Sequence, residues 1–184
     1  MAIAVVTRAD RELRIEVASW SQWRGRVTPK APATTSVTVL AVSALYFAYG
    51  SNLSPARMRD RIAGAEPLGA ARLVGFCLRL DKRGADGSGK ANLGDDASQC
   101  VWGALYRIDP SEWPRLDAFE PGYERIAVEV EWRGAPQRAQ TYQSHRLTRD
   151  AVPFAWYKRL LVEGARAHAL PEAWIEHLAS LPER

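Results

Sequence analysis

The stretch Tyr46-Phe47-Ala48-Tyr49-Gly50-Ser51-Asn52-Leu53 constrains this chain more than any other. An apolar, aromatic run that ends in small polar residues predicts a buried strand that breaks at Gly50. A helix is predicted to follow at once. Ser54 is its candidate cap, Pro55 sits where a missing N–H costs nothing, Met58 and Ile62 share one face, and Gly64 stops it. A strand that enters a helix through small residues leaves several backbone N–H groups aimed at one spot, which favours an anion or a polarised carbonyl oxygen. The same residues also suit an ordinary strand–turn–helix joint, so any chemistry here needs a second passage to support it.

The chain downstream alternates strand-like and helix-like stretches. Leu68 to Leu80 reads as a strand interrupted by Gly69 and Gly75, as bends or bulges in a tightly curved sheet require. Asp81 to Gly89 reads as a charged, glycine-rich loop, Lys90 to Leu93 as a short strand and Cys100 to Ile108 as a buried one. Arg125 to Trp132 alternates through Ile126, Val128, Val130 and Trp132, the period of a half-buried strand. Gln137 to Ser144 is its weaker partner across a turn at Gly134-Ala135-Pro136. Two helices close the chain. One starts near Pro153 with Phe154, Tyr157, Leu161 and Ala165 on a face, and the other starts at Pro171 with Trp174, Leu178 and Leu181 spaced for burial. The pattern predicts an α+β fold, a small closed or strongly curved mixed β-barrel with peripheral helices.

Charge and composition narrow the function classes. The net charge of +4 invites a nucleic-acid reading, but its distribution opposes one. Residues 1–44 hold six Lys/Arg against three acids, whereas residues 45–184 hold nineteen against eighteen. The excess of positive charge belongs largely to the leader, and a nearly neutral body argues against a basic nucleic-acid face. The linker composition of Thr28 to Thr35 sets residues 1–44 apart as an N-terminal extension, poorly ordered or the product of a start codon placed too early, with 45–184 as the domain. The run from Val37 to Ala48 behind Arg24, Arg26 and Lys30 has the outline of a signal-peptide core, with Val42-Ser43-Ala44 as a cleavage site. It continues unbroken into the strand, which opposes export. No run approaches the ~20 apolar residues of a membrane span. Cys77 and Cys100 lie in apolar stretches, and His145, His168 and His177 are scattered without ligand spacing. Two buried free thiols in a reducing compartment are expected, with no metal site. The expected setting is cytoplasmic, as a monomer or weak homodimer.

The second informative passage runs from Asp109 to Gly122. Asp109 can cap a helix, Pro110 sits at its first position, Glu112 completes a capping-box spacing, and Pro121 ends the helix. Trp113, Leu116 and Glu120 are spaced i, i+3, i+7, which puts a carboxylate at the end of an apolar face. Partial desolvation there raises its pKa and makes it a candidate proton carrier. The plainer alternative is a Glu at a frayed helix end, pointing to water or pairing with Arg125. Asp117, four residues after Trp113, is the neighbouring candidate and equally a structural hydrogen-bonding residue.

Taken together, Tyr-Gly-Ser-Asn-Leu after a strand and Leu116-Asp117-x-x-Glu120 with Tyr123 and Arg125 resemble the two signatures of the gamma-glutamylcyclotransferase superfamily, in its AIG2-like branch. Val101 to Tyr106 resembles the family strand before that helix. Tyr157-Lys158, Gly164-Ala165 and Leu170-Pro171 resemble its C-terminal helical signature. The resemblance spans roughly Tyr46 to Leu178 and departs at Pro121, where members usually carry Gly, and in a shortened loop before Tyr123. Asn52 makes the glutathione-specific branch a poorer match.

The resemblance implies release of 5-oxoproline from a gamma-glutamyl amino acid or amine by attack of the substrate's own α-amine. Glu120 would be the catalytic acid/base, and Tyr49, Gly50, Ser51, Asn52 and Leu53 would bind the glutamyl group. Tyr123 and Tyr157 would wall the pocket, with core packing as their alternative role. Because attack is intramolecular, no metal or cofactor is required. A competing reading keeps the fold as a ligand-binding or interaction module without turnover. The signatures also imply that the Gly50–Asn52 turn and Glu120 face one pocket.

Overall fold

The computed structural model describes residues 3–9, 12–18, 37–39 and 43–184. The segments 28–35 and 40–42, and with them the linker and the first residue of the proposed cleavage site, lie outside the described residues. The chain divides into two units, Met1–Val42 and Ser43–Arg184. The first contains an antiparallel three-stranded sheet of β1 (Ile3–Ala9), β2 (Glu12–Ala18) and β3 (Val37–Val39), with Ile3 opposite Ala18 and Leu13 opposite Val39.

In the second unit, β4 (Ala44–Ala48), β5 (Glu66–Arg83), β6 (Gly89–Ile108), β7 (Glu124–Trp132) and β8 (Ala135–Gln143) close a barrel in the order β4-β6-β5-β7-β8. It is mixed because β4 meets β8 in parallel at Tyr46 and Gln140, while the other neighbours are antiparallel. Around it lie α1 (Pro55–Arg61), α2 (Trp113–Ala118), α3 (Ala155–Ala167) and α4 (Glu172–Ser180). This is the α+β barrel with peripheral helices that the hydrophobic pattern predicts.

The differences in element length have one cause. β5 and β6 run well past the apolar stretches, and β6 joins 90–93 to 100–108 through the polar residues Asp95 to Gln99. Of those residues Asp95 pairs with Phe76 of β5, while Asp96 to Gln99 fall in a register shift before pairing resumes at Val74 and Cys100. There Asp96 accepts from the Ser98 N–H at 3.0 Å, so polarity of the exposed side chains does not end the strand. The register shifts of β5 fall between Pro67 and Gly69, between Val74 and Phe76, and between Arg79 and Lys82, so two of the three involve the predicted bend glycines Gly69 and Gly75. The β7–β8 turn is Arg133–Gly134, both at positive φ, one step earlier than the sequence suggests. Cys77 and Cys100 are free and half-buried rather than fully buried. Among the described residues, no helix is long and apolar enough to cross a membrane.

β4 supplies Tyr46, Phe47 and Ala48 to a core completed by Leu105 of β6, Val130 of β7, Leu116 of α2 and Leu161 of α3. Helix α3 closes over the 3-10 turn Ser51–Leu53 at one point, Gly164. A Cβ at Gly164 would stand 2.4 Å from the Leu53 carbonyl carbon and 2.6 Å from its Cβ. Backbone cannot move aside as a flexible side-chain tip can. Gly164→Ala is therefore expected to destabilise the protein by about 1–3 kcal/mol through overpacking, although alanine is the better helix former. Urea unfolding checks this, and unchanged stability would show that α3 shifts freely over the turn.

Candidate active site

The strand β4 ends at Ala48, and Tyr49 and Gly50 lead into the 3-10 turn Ser51–Leu53. Leu53 N–H bonds to the Gly50 carbonyl at 2.9 Å, and Ser54 N–H to the Ser51 carbonyl at 3.2 Å. The N–H groups of Ser51 and Asn52, as first residues of that turn, have no intrahelical acceptor. Ser54 then caps α1, its hydroxyl accepting from the Arg57 N–H at 3.4 Å, with Pro55 in the first turn. The predicted joint is therefore present, with one 3-10 turn inserted before the helix.

On the other side of the site, Asp109 caps a short 3-10 segment, Pro110–Glu112, by accepting the Ser111 N–H at 2.9 Å. The helix α2 ends at Ala118, so Glu120 lies just beyond it. Glu120 is nevertheless held in line with Leu116, because the Phe119 and Glu120 N–H groups bond back to Leu116 and Asp117 at 3.0 Å. Pro121 and Gly122, the latter at φ 82°, form a tight turn that the Tyr123 N–H closes on the Glu120 carbonyl at 3.1 Å. Pro121 is thus absorbed by the turn.

Glu120 does not pair with Arg125, which instead approaches Asp117 at 3.6 Å and lies over the Trp113 ring. Its carboxylate Oε1 accepts from Asn52 Nδ2 at 3.0 Å and from Arg61 Nη1 at 2.6 Å. Arg61 Nη1 also donates to Asn52 Oδ1 at 2.7 Å, and Asn52 Nδ2 donates to the Tyr46 hydroxyl at 2.7 Å. Asn52, Arg61 and Glu120 form a closed ring of charge-assisted bonds, with side-chain exposure of only 10% for Arg61 and 15% for Glu120. Both bonds to Glu120 fall on Oε1. Its Oε2 has no protein partner among the described residues.

Glu120, Ser51, Asn52, Gly50, Tyr49, Tyr123 and Tyr157 line one cavity together with Tyr46, Ala91 and Tyr142, enclosing about 290 Å³ including its open mouth. Sequence reasoning assigned the first seven, and the structure brings them together across 68 residues of chain between Asn52 and Glu120. Leu53 is the exception, since its side chain is fully buried against Gly164 and away from that lining. The tyrosine hydroxyls hold the walls in place. Tyr49 donates to the Tyr142 carbonyl at 2.5 Å, Tyr123 donates to the Ala91 carbonyl at 2.6 Å, and Tyr157 accepts from the Ala91 N–H at 2.9 Å.

Burial raises the Glu120 pKa above the ordinary carboxylate value, opposed by Arg61 and by the Asn52 hydrogen bond. Burial also drives the hydroxyls of Tyr46, Tyr49, Tyr123 and Tyr157 far above the usual phenol range, so they remain neutral donors and acceptors. Among the described residues, Glu120 is the one carboxylate lining this cavity, and the upward shift is the direction a proton carrier needs.

Arg61 went unassigned from sequence. The available signal was a charged residue three positions after Met58, on the side of α1 that packs inward, where a cation needs a partner. Tyr46 and Tyr142 gave no signal beyond core packing, and Ala91 has no side chain that could mark it.

Comparison with known proteins places this geometry in context. The AIG2-like family model matches residues 100–178. Human gamma-glutamylcyclotransferase is 31% identical over 150 residues, covering 76% of this chain and 79% of the human protein, and the mouse protein is 30% identical over 148 residues, covering 74% and 78%. A solved gamma-glutamyl cyclotransferase superposes with a TM-score of 0.72 at 27% identity, over 78% of this chain and 90% of that one. With this extent of sequence and barrel in common, the chain belongs to the gamma-glutamylcyclotransferase family, in its AIG2-like branch.

Proposed function

We propose that this cyclotransferase-family enzyme releases 5-oxoproline from a gamma-glutamyl amino acid or amine, with Glu120 moving the proton. The observation that carries the reading is the asymmetry of the Glu120 carboxylate: Oε1 is fixed by Asn52 and Arg61, and Oε2 is left for a substrate.

The chemistry asks for little more. Oε2 takes a proton from the substrate's α-ammonium, and the freed amine attacks the γ-carbonyl carbon to close a five-membered ring. The carbonyl electrons move onto oxygen, where the Ser51 and Asn52 N–H groups are the nearby donors for the developing charge. As the oxyanion collapses, the bond to the departing nitrogen breaks and Glu120 returns the first proton to it. The ring nitrogen's second proton passes the same way, so the lactam keeps one N–H and the leaving group departs as an ammonium. The walls formed by Tyr49, Tyr123 and Tyr157 hold the glutamyl chain folded, and this positioning contributes most because both reactants belong to one molecule. Such a scheme uses no metal or cofactor. Free Cys77 and Cys100 support a reducing, cytoplasmic setting.

Incubation with a panel of gamma-glutamyl amino acids and amines, followed by chromatographic detection of 5-oxoproline, tests the proposal. Release from at least one member is expected. A protein that binds gamma-glutamyl ligands but releases no 5-oxoproline from any of them would be a binding module on the same fold.

A further inference from the structure

The structure describes three lysines, and two of them are paired: Lys90 with Asp86 at 2.8 Å and Lys158 with Glu183 at 3.5 Å. Lys82 is the third. It is only 9% exposed, and its ammonium makes no ion pair or hydrogen bond among the described residues and lies 4.8 Å from the Tyr123 ring centroid. The surrounding acids are already engaged. Asp81 accepts from Asn92 at 2.9 Å and lies 3.9 Å from Arg79, Asp86 holds Lys90, and Glu120 holds Arg61. A ring face compensates only part of the hydration a buried ammonium loses. Burial accordingly lowers the Lys82 pKa, with the nearby positive charges of Lys90 and Arg146 acting in the same direction against Glu120.

The place of this cation matters. Lys82 Nζ and Arg146 Cδ both lie 3.9 Å from where a side chain on Gly122 would begin, so the two flank the Glu120–Tyr123 turn. Arg146 likewise has no ion pair among the described residues. Tyr123, against which Lys82 rests, is a wall of the cavity. In the cyclotransfer reading, the departing nitrogen must reach Glu120, and an amino-acid leaving group carries its carboxylate two bonds from that nitrogen.

We propose that Lys82, with Arg146 beside it, recognises carboxylates on the departing half of the substrate and sets a preference for anionic leaving groups. This rests on the cyclotransfer reading of the same site. Two unpaired cations favour one carboxylate over none, and a dicarboxylic leaving group over a monocarboxylic one.

The test compares γ-glutamylethylamide, γ-glutamylalanine and γ-glutamylglutamate, whose leaving groups carry none, one and two carboxylates. Lys82→Met is expected to raise KM for γ-glutamylalanine roughly tenfold, the usual contribution of one charge-assisted contact. The effect on γ-glutamylglutamate is larger, with kcat little changed and the ethylamide unaffected. Lys82→Arg keeps most of the preference. Equal losses for all three compounds, or no change for any, would overturn the proposal, since a merely structural lysine cannot distinguish them. Calorimetric binding of the same compounds in a Glu120→Gln background separates this inference from the reaction it rests on. Without turnover in the wild type, the cyclotransfer reading fails, and Lys82 is decided by whether Lys82→Met abolishes the graded affinity.

Discussion

Glu120→Gln is expected to lower kcat for 5-oxoproline release by a factor on the order of 10² to 10⁴, the usual contribution of a positioned general acid–base, with a much smaller change in KM. The amide keeps the size of the side chain and an oxygen for Asn52 and Arg61, but it cannot carry the proton. Its effect on stability is the sum of two opposed changes. Burial raises the Glu120 pKa in the folded state, so protonation favours folding. That stabilisation is complete below the unfolded pKa and is lost as pH rises through the folded one. Above that window the ionised carboxylate therefore burdens the fold, and the amide relieves this while leaving Arg61 without an opposite charge. A net change within about 1–2 kcal/mol is expected.

Asp117→Asn is the control. Asp117 accepts from the Tyr142 hydroxyl at 2.7 Å and meets Arg125 at 3.6 Å, and it does not line the cavity. With a side chain 41% exposed, its ion pair is screened and the substitution should cost no more than about 1 kcal/mol. Retention of near-normal release by Glu120→Gln, with its loss in Asp117→Asn, would move the proton carrier one helical step back.

Arg61→Met should show the largest loss of stability. It removes the counter-charge from a carboxylate only 15% exposed and leaves Asn52 Oδ1 without its donor. Breaking such a pair costs about 3 kcal/mol at pH 8. The pH dependence identifies the cause. Arg61 opposes the upward shift that burial imposes on Glu120, so without it the folded-state pKa rises further. Protonation then relieves the variant more than the wild type, and the loss of stability shrinks as pH falls. The acidic limb of the rate profile moves to higher pH for the same reason. Urea unfolding at pH 5.5 and pH 8 decides the matter. An equal loss at both values would mean that Arg61 acts by packing alone and does not balance the Glu120 charge.

Much of this protein is legible one segment at a time. Local chemistry marks the strand before Gly50, the Ser54 and Asp109 caps and the bends at Gly69 and Gly75, because each depends on a few adjacent residues. The alternation of β7 and the apolar runs of β4 and β6 specify a sheet with one face buried, which leaves few fold classes open. Glu120 was legible for a similar reason, as a carboxylate out of place on an apolar face. The family signatures added the expectation that it meets the Gly50–Asn52 turn.

Tertiary structure decided the rest. The extension of β5 and β6 through polar residues depends on a partner strand, which no local window contains. The orientation of Leu53 follows from the close approach of Gly164, more than a hundred residues later. The pairing of Glu120 was the hardest feature to foresee. Arg125 is nearer in sequence and opposite in charge, yet it pairs with Asp117, and the cation at Glu120 is Arg61 from α1. Sequence shows which residues are charged. Which charges lose their water depends on how the barrel closes and where α1 and the Glu120 turn meet across it, and that loss of water makes a partner compulsory and shifts a pKa.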